Sequence, residues 1–378
     1  MEKLDKQFEE QFEAELAKVT RPNLMIVGGT GVGKSSLINY IFGKAVAKTG
    51  TGEPITRGVE RYSDPKVPLN IFDTEGYEIA DGEISTANFQ TRILPEIRKR
   101  RHDALEEQIH LIWYCLSVGN HRITDFDLDN LRLLSEEHKL PIAIVLTQCD
   151  TEAVDDDGNG VTSQEFRRVL KAAGLSFPVF DTCSNNPNRD PELELDLEKL
   201  LEWSAQALDN EALRASFVGA QRASLPLKRK EAMKVISAYS ATTAASAGLN
   251  PVPMSDALLI VPQQIAMAAS LAKIYGFGAM EASVMSLLKG QLVTLVGRQV
   301  AASLTKFVPI LGQLINAGVA AAITGGIGWA LTQAYESALR NYLETGEAPD
   351  WAKLLSHDMF MQAVKAGMSR VAKAEAEV

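Results

Sequence analysis

Residues 28–35 read Gly-Gly-Thr-Gly-Val-Gly-Lys-Ser, which places Gly28, Gly33, Lys34 and Ser35 at the spacing of a phosphate-binding loop. An apolar run at 24–27 precedes them and an apolar helical pattern at 36–42 follows, so the loop joins a predicted strand to a predicted helix. Glycines let successive backbone N–H groups turn inward around a polyphosphate. The helix beginning near Gly33 directs its positive end at the same anion. The cradle comprises Gly28, Gly29, Thr30, Gly31, Val32, Gly33 and Ser36. Lys34 is placed to reach the β- and γ-phosphates, and the Ser35 hydroxyl to ligate Mg²⁺.

Three further motifs each close a predicted strand. In Asn70-Ile-Phe-Asp73-Thr-Glu-Gly76, Asp73 is placed to hold Mg²⁺ through water, and the Gly76 N–H to sense the γ-phosphate. The run 141–147 leads into Thr147-Gln148-Cys149-Asp150, where the Asp150 carboxylate can accept both N–H groups of a guanine edge, a bidentate pair that adenine cannot offer. The run 177–181 ends in Thr182, Cys183 and Ser184, small residues that let a base lie close to the backbone. In this order the motifs point to a guanine nucleotide, GTP or GDP, with Mg²⁺.

These residues must be held by a sheet. From 22 to 205, strand-like runs alternate with helical stretches, which predicts a mostly parallel sheet with helices on both faces. Ligands of such sheets bind outside the carboxyl ends of the strands, where every motif falls. Over about 22–205 the chain resembles the translation-factor-like GTPases, in particular the bacterial Era-like branch. The loop Gly28–Ser35, Asp73-x-x-Gly76 and Thr147-Gln148-Cys149-Asp150 carry the resemblance. It implies an α/β P-loop G domain that hydrolyses GTP, with Lys34, Thr56 and Gly76 as the catalytic set. Pro54-Ile55-Thr56 stands where that family places its first-switch threonine, so Thr56 is implied to join Ser35 and Asp73 at Mg²⁺. Thr49 and Thr51 compete with it for that place.

Two positions depart from the family pattern. Gln148 stands where a lysine usually covers the guanine face and contacts the phosphate loop, so a weaker grip on the base is expected. Tyr77 follows Gly76, where many small GTPases carry a glutamine that orients the attacking water. Gly31 occupies the loop position at which cation-activated relatives carry asparagine. Slow turnover is expected, with help from a partner or a second G domain in a homodimer.

At 378 residues the chain has room for two domains. Its net charge of −10 hides a split between −14 over residues 1–210 and +4 over 211–378. The expected organisation is an N-terminal amphipathic helix (1–20), a G domain (21–208), a basic linker helix (209–234) and a low-charge all-α helical domain (235–378). Cys115, Cys149 and Cys183 have no paired spacing, as expected for a reducing cytoplasm. The first residues carry no apolar signal core. Leu4, Phe8, Phe12, Leu16 and Val19 share one stripe of a helix over 2–19, expected to pack on the second domain or a partner. The basic stretch 92–101 is read as a solvated helix face. Nucleic acid is not expected as a partner, because phosphate contacts need a basic surface. Asp155-Asp-Asp157-Gly-Asn159-Gly160 mimics the start of a calcium loop, but Phe166 occupies the twelfth position, which needs a carboxylate. Thr162-Ser-Gln-Glu165 reads as a helix capping box.

Between 235 and 272 Asp256 is the only charge, and residues 307–335 carry none. Pro309-x-x-Gly312 and Gly325-Gly326-x-Gly328 are expected to break or tighten helices there. A basic cluster before a low-charge segment fits a cytoplasmic membrane surface. Three readings stay open: a membrane span, peripheral or hairpin association, and a soluble bundle. Residues 241–256, Gln263-Gln264 and Tyr275-Gly276 make about 230–345 resemble a bacterial helical domain of unknown function, often fused behind Era-like GTPases and related to predicted inner-membrane proteins. That resemblance implies a membrane surface or membrane-protein complex as partner, at the inner face of the cytoplasmic membrane. The expected function is a GTP-driven switch coupled to this domain. Its alternatives are a ribosome- or RNA-associated assembly GTPase and a nucleotide-binding scaffold with little hydrolysis.

Overall fold

A computed structural model of the protein describes residues 14, 20–43, 53–56, 59–64, 67–74, 79–80, 83–84, 89–137, 140–184, 195–248, 257–277 and 315–376. The helix expected over 2–19 lies outside these residues apart from Ala14, which is helical. The chain divides into two compact units, one spanning Thr20–Leu227 and one beginning at Lys228.

The first unit is built on a seven-stranded sheet. Its strands are β1 (Asn23–Val27), β2 (Glu53–Thr56), β3 (Val59–Asp64), β4 (Val67–Thr74), β7 (Leu111–Ser117), β8 (Ile142–Thr147) and β9 (Val179–Asp181), in the order β2-β3-β4-β1-β7-β8-β9. A separate hairpin pairs β5 (Ile79–Ala80) with β6 (Glu83–Ile84). β4, β1, β7, β8 and β9 run parallel, and β3 joins β4 antiparallel. β1, β7 and β8 are buried at every residue, as parallel strands covered on both faces must be.

The two faces sort by the two-residue period of a strand. Met25, Val27, Ile112 and Tyr114 pack with Leu94 and Ile97 of α2 (Leu94–Arg100), Leu131 and Leu134 of α3 (Asp125–Ser135), and Phe166 and Leu170 of α4 (Val161–Ala172). On the opposite face, the Trp113 ring meets Phe42, which ends α1 (Lys34–Phe42), with centroids 6.1 Å apart, and donates to Ser204 Oγ of α5 (Leu197–Ala207) at 3.0 Å. Residues 209–227, expected to open a basic linker, instead complete this face. Asn210 caps α6 (Glu211–Ala220) by accepting from the N–H groups of Ala212 at 2.9 Å and Leu213 at 3.1 Å. Phe217 of α6 then lies edge-on to both Phe42 and Trp113.

Two local expectations change. α4 begins at Val161, so Thr162 is already inside the helix and cannot cap it. The remote Glu152 does so, accepting from Ser163 N at 2.8 Å and Ser163 Oγ at 2.6 Å, while Glu165 pairs with Arg168. Asp155 closes the preceding turn by accepting from the N–H groups of Asp157 and Asn159. In the basic stretch, Arg98 and Arg101 share Glu137, and Arg100 pairs with Glu96 and Glu107.

The second unit is helical: α7 (Leu225–Gly248), whose first residues precede the boundary, α8 (Ala257–Ile274), α9 (Ile315–Thr345), α10 (Trp351–Leu354) and α11 (His357–Ala376). Gly325, Gly326 and Gly328 do not break α9, which runs through them. They permit close approach instead: a Cβ on Gly326 would stand 2.7 Å from the Val364 carbonyl of α11, and one on Gly328 2.6 Å from Ile236 of α7. α9 is buried around most of its circumference between Ala320 and Leu339, which accounts for its lack of charge up to Glu336. Among the described residues no helix is long and apolar enough to cross a membrane. Asp256, Pro309 and Gly312 lie outside the described residues.

Candidate functional site: a phosphate loop at the carboxyl edge of the sheet

The register of the sheet brings the motifs to one edge. Ile26 pairs with Asp73, Ser117 with Thr147, and Leu146 with Asp181, so the parallel strands end level around the loop that follows β1. Within that loop Gly28 has φ +151° and Gly33 φ +94°, backbone that L side chains rarely adopt. A Cβ on Gly28 would also sit 2.5 Å from the Cys115 carbonyl oxygen, so the loop rests directly on β7. Gly33 is the N-cap of α1 and makes no side-chain cap, so the first N–H groups of the helix face the loop.

Lys34 is buried, and its Nζ donates to the carbonyls of Gly28 at 2.8 Å and Gly29 at 2.9 Å. Burial lowers its pKa, opposed by the Asp73 carboxylate and by Cys115. The ammonium is therefore held inside the loop beside the carboxylate that ends β4. The Cys115 thiol is pushed up to about 12, chiefly by burial, and stays protonated at neutral pH. Thr30, Gly31, Ser35 and Ser36 are exposed along the rim, whereas Val32 is buried.

The Thr147–Asp150 segment is tied to this loop. The Thr147 hydroxyl is buried and donates to the Val32 carbonyl. Gln148 takes a left-handed conformation (φ 61°, ψ 26°), and its carbonyl accepts from Thr151 N at 3.0 Å and Thr151 Oγ1 at 2.7 Å. Asp150 is half-buried on the short turn that follows. Cys149 N donates to the Thr182 carbonyl at 3.1 Å, which joins this turn to the segment 182–184. Thr182 donates both its N–H, at 2.7 Å, and its hydroxyl, at 2.9 Å, to the Leu146 carbonyl, which anchors this segment to the end of β8. Cys183 is buried and Ser184 half-buried.

Thr56 ends β2 opposite Val59, but its side chain lies outside the described residues, as do Gly76 and Tyr77. Ser117 was not among the expected site residues, although a strand-end rule applied to the run 111–117 points to it. Among the described residues no cluster of three or more His, Cys, Asp or Glu could hold a metal. Ser35 and Asp73 carry the oxygen atoms that a hard cation such as Mg²⁺ takes alongside phosphate and water.

The loop between β1 and α1, the Asp73 carboxylate near the end of β4 and the Thr147–Asp150 segment after β8 gather at one edge of an α/β sheet, the place where such sheets bind ligands. Residues 23–148 match the family model described as 50S ribosome-binding GTPase, and residues 217–342 match that of a domain of unknown function, DUF697. Neuronal-specific septin-3 of Mus musculus is 24% identical over 180 residues, covering 41% of this chain and 49% of that protein. GTPase Der of Geobacter metallireducens is 28% identical over 138 residues, covering 36% of this chain and 29% of that protein. The chain spans about half the length of the septins it matches. Among solved structures, Toc33 from Arabidopsis thaliana in complex with GDP and Mg²⁺ overlaps 57% of this chain and 92% of its own, with 15% identity and a TM-score of 0.36.

Proposed function

We propose that the protein binds guanine nucleotide with Mg²⁺, hydrolyses GTP slowly, and uses the nucleotide state as a switch on its helical unit. The observation that carries this reading is the level edge of β4, β1, β7 and β8, where Lys34, Asp73 and Thr147 meet one loop and Asp150 follows on the turn after β8. In it, Lys34 and the first N–H groups of α1 neutralise phosphate charge, and Asp150 accepts from the guanine edge. Ser35, Asp73 and Thr56 would hold Mg²⁺, which would supply charge neutralisation on the transferring phosphoryl group. The Gly76 N–H would face the γ-phosphate. Tyr77 has no side-chain carboxamide to orient water, so a group from a partner or a second G domain would complete the site. Rates per molecule that rise with protein concentration support a homodimer; constant rates remove it.

Guanine selectivity is the direct test of the base assignment. Asp150→Ala should weaken GDP binding by about ten- to a hundredfold, since two hydrogen bonds to a charged acceptor are lost. ADP binding should be unaffected. Equal GDP affinity for the variant removes Asp150 from the site.

The Era-like assignment and a place at the cytoplasmic face of a membrane belong to the same proposal. Peripheral association is favoured over a span, because α9 spends its apolar surface inside the bundle and no helix among the described residues is long and apolar enough to cross. The description of the family model supports a second reading, a ribosome-associated GTPase. The pairing of Arg98, Arg100 and Arg101 with glutamates counts against an RNA contact there. Sedimentation with vesicles and with ribosomal subunits separates the two.

A further inference from the structure

We propose that Ser117, at the end of β7, is a positioning residue for nucleotide binding: it fixes the Gln148 carboxamide so that the amide NH₂ faces the phosphate loop. The inference rests on the guanine-nucleotide reading and names how this chain manages with glutamine after Thr147. The Ser117 side chain is buried, and its Oγ lies 2.6 Å from Gln148 Oε1. The same Oγ accepts from Gly119 N at 3.1 Å. Gly119 N–H is a donor only, so the single hydroxyl proton of Ser117 is left for Gln148. A buried hydroxyl needs an acceptor for that proton, and the carboxamide must turn its oxygen toward it. Nε2 is thereby directed to the other side. It lies 3.9 Å from where a Cβ on Gly33 would stand, beside the loop that would carry the phosphates.

The backbone around this contact is unusual in the same place. His121 (φ 55°) and Gln148 (φ 61°) are the two non-glycine residues with positive φ among those described. One closes the turn after Ser117 and the other is the partner itself. Strained backbone persists where surrounding contacts over-determine it, commonly at ligand sites. Here Thr151 holds the Gln148 carbonyl from two atoms, and the preceding residue, Thr147, is anchored by its hydroxyl to the Val32 carbonyl. Gly119 must remain small, because a Cβ there would come 2.9 Å from Gln148 Oε1. Ser117, Gly119 and Gln148 thus form one neutral bridge from β7 to the phosphate loop.

Affinity for a fluorescent GDP analogue, measured on the full chain, tests this as a double-mutant cycle. Ser117→Ala should weaken binding roughly fivefold, the worth of one buried hydrogen bond. The same change should add little on a Gln148→Ala or Gln148→Lys background, because the amide it positions is gone. Ser117→Thr, which keeps the hydroxyl, should restore binding. A merely structural role predicts instead an equal loss on every background with a matching fall in melting temperature, and that result overturns the inference. Unchanged binding in Ser117→Ala, with wild-type binding intact and lost in Lys34→Ala, overturns the inference alone. Absence of GDP binding by the wild-type chain overturns the nucleotide reading and this inference together.

Discussion

At the residue scale, Gly28 separates what a motif says from what enforces it. Its place in the loop is plain from Gly28-x-x-x-x-Gly33-Lys34-Ser35, but the constraint comes from the Cys115 carbonyl, 2.5 Å from any Cβ placed there. Gly28→Ala combines that clash with backbone at φ +151° and should cost about 2 kcal/mol or more, read as a lower melting temperature together with lost nucleotide binding. An unaltered melting temperature contradicts the packing described. The places of Lys34 at the start of α1, Asp73 near the end of β4 and Asp150 just after β8 were legible from spacing. Ser117 and the tether from Thr147 to Val32 were not, because they depend on pairing between strands whose register no local pattern specifies.

At the element scale, the parallel strands were legible as continuous apolar runs, and the edge they share followed from that. Helix ends were less so. The cap of α4 comes from Glu152, eleven residues before its partner Ser163, whereas local spacing pointed to Thr162 and Glu165. Glycines within α9 read as positions that break or tighten a helix because propensity is local, while their use is tertiary. Replacing an exposed helical glycine by alanine usually stabilises by up to about 1 kcal/mol. Gly326→Ala should instead destabilise by about 1–3 kcal/mol, since the new Cβ meets the Val364 carbonyl, which cannot swing away. Chemical denaturation that follows the helical unit measures the sign, and a stabilised variant refutes the close approach.

The opposite edge of the sheet carries a pH response. Asn23 N donates to His110 Nδ1 at 2.9 Å, and burial lowers the His110 pKa, partly opposed by the Leu105 carbonyl and Glu106. The folded unit therefore prefers neutral imidazole. That contribution is complete above about pH 6.5, the ordinary histidine value, and is lost as pH falls below it toward the lowered folded value. The melting temperature should drop between about pH 7.5 and 5.5, a window that brackets that value, and His110→Asn should flatten this drop. An identical pH slope in the variant assigns the effect elsewhere.

For the whole molecule, composition announced two environments, −14 and +4 in net charge, and two compact units are found. The position of their boundary was not legible. Basic residues between 209 and 234 suggested a linker, but Leu213 and Phe217 are buried against the sheet of the first unit, and the break falls at Leu227. Absence of charge in α9 left a membrane span, peripheral association and a bundle all open. The helix is mostly covered by its neighbours, and periodicity cannot distinguish burial among helices from burial in lipid. What α7 to α11 act upon is a question of partners, and the proposed switch makes one demand that precedes it. Multiple-turnover phosphate release from GTP and from ATP, for the wild-type chain and Lys34→Ala, tests that demand. A guanine-specific switch predicts slow release from GTP, none above background from ATP, and loss of the GTP activity in the variant. Equal release from both nucleotides, or full activity without Lys34, contradicts it.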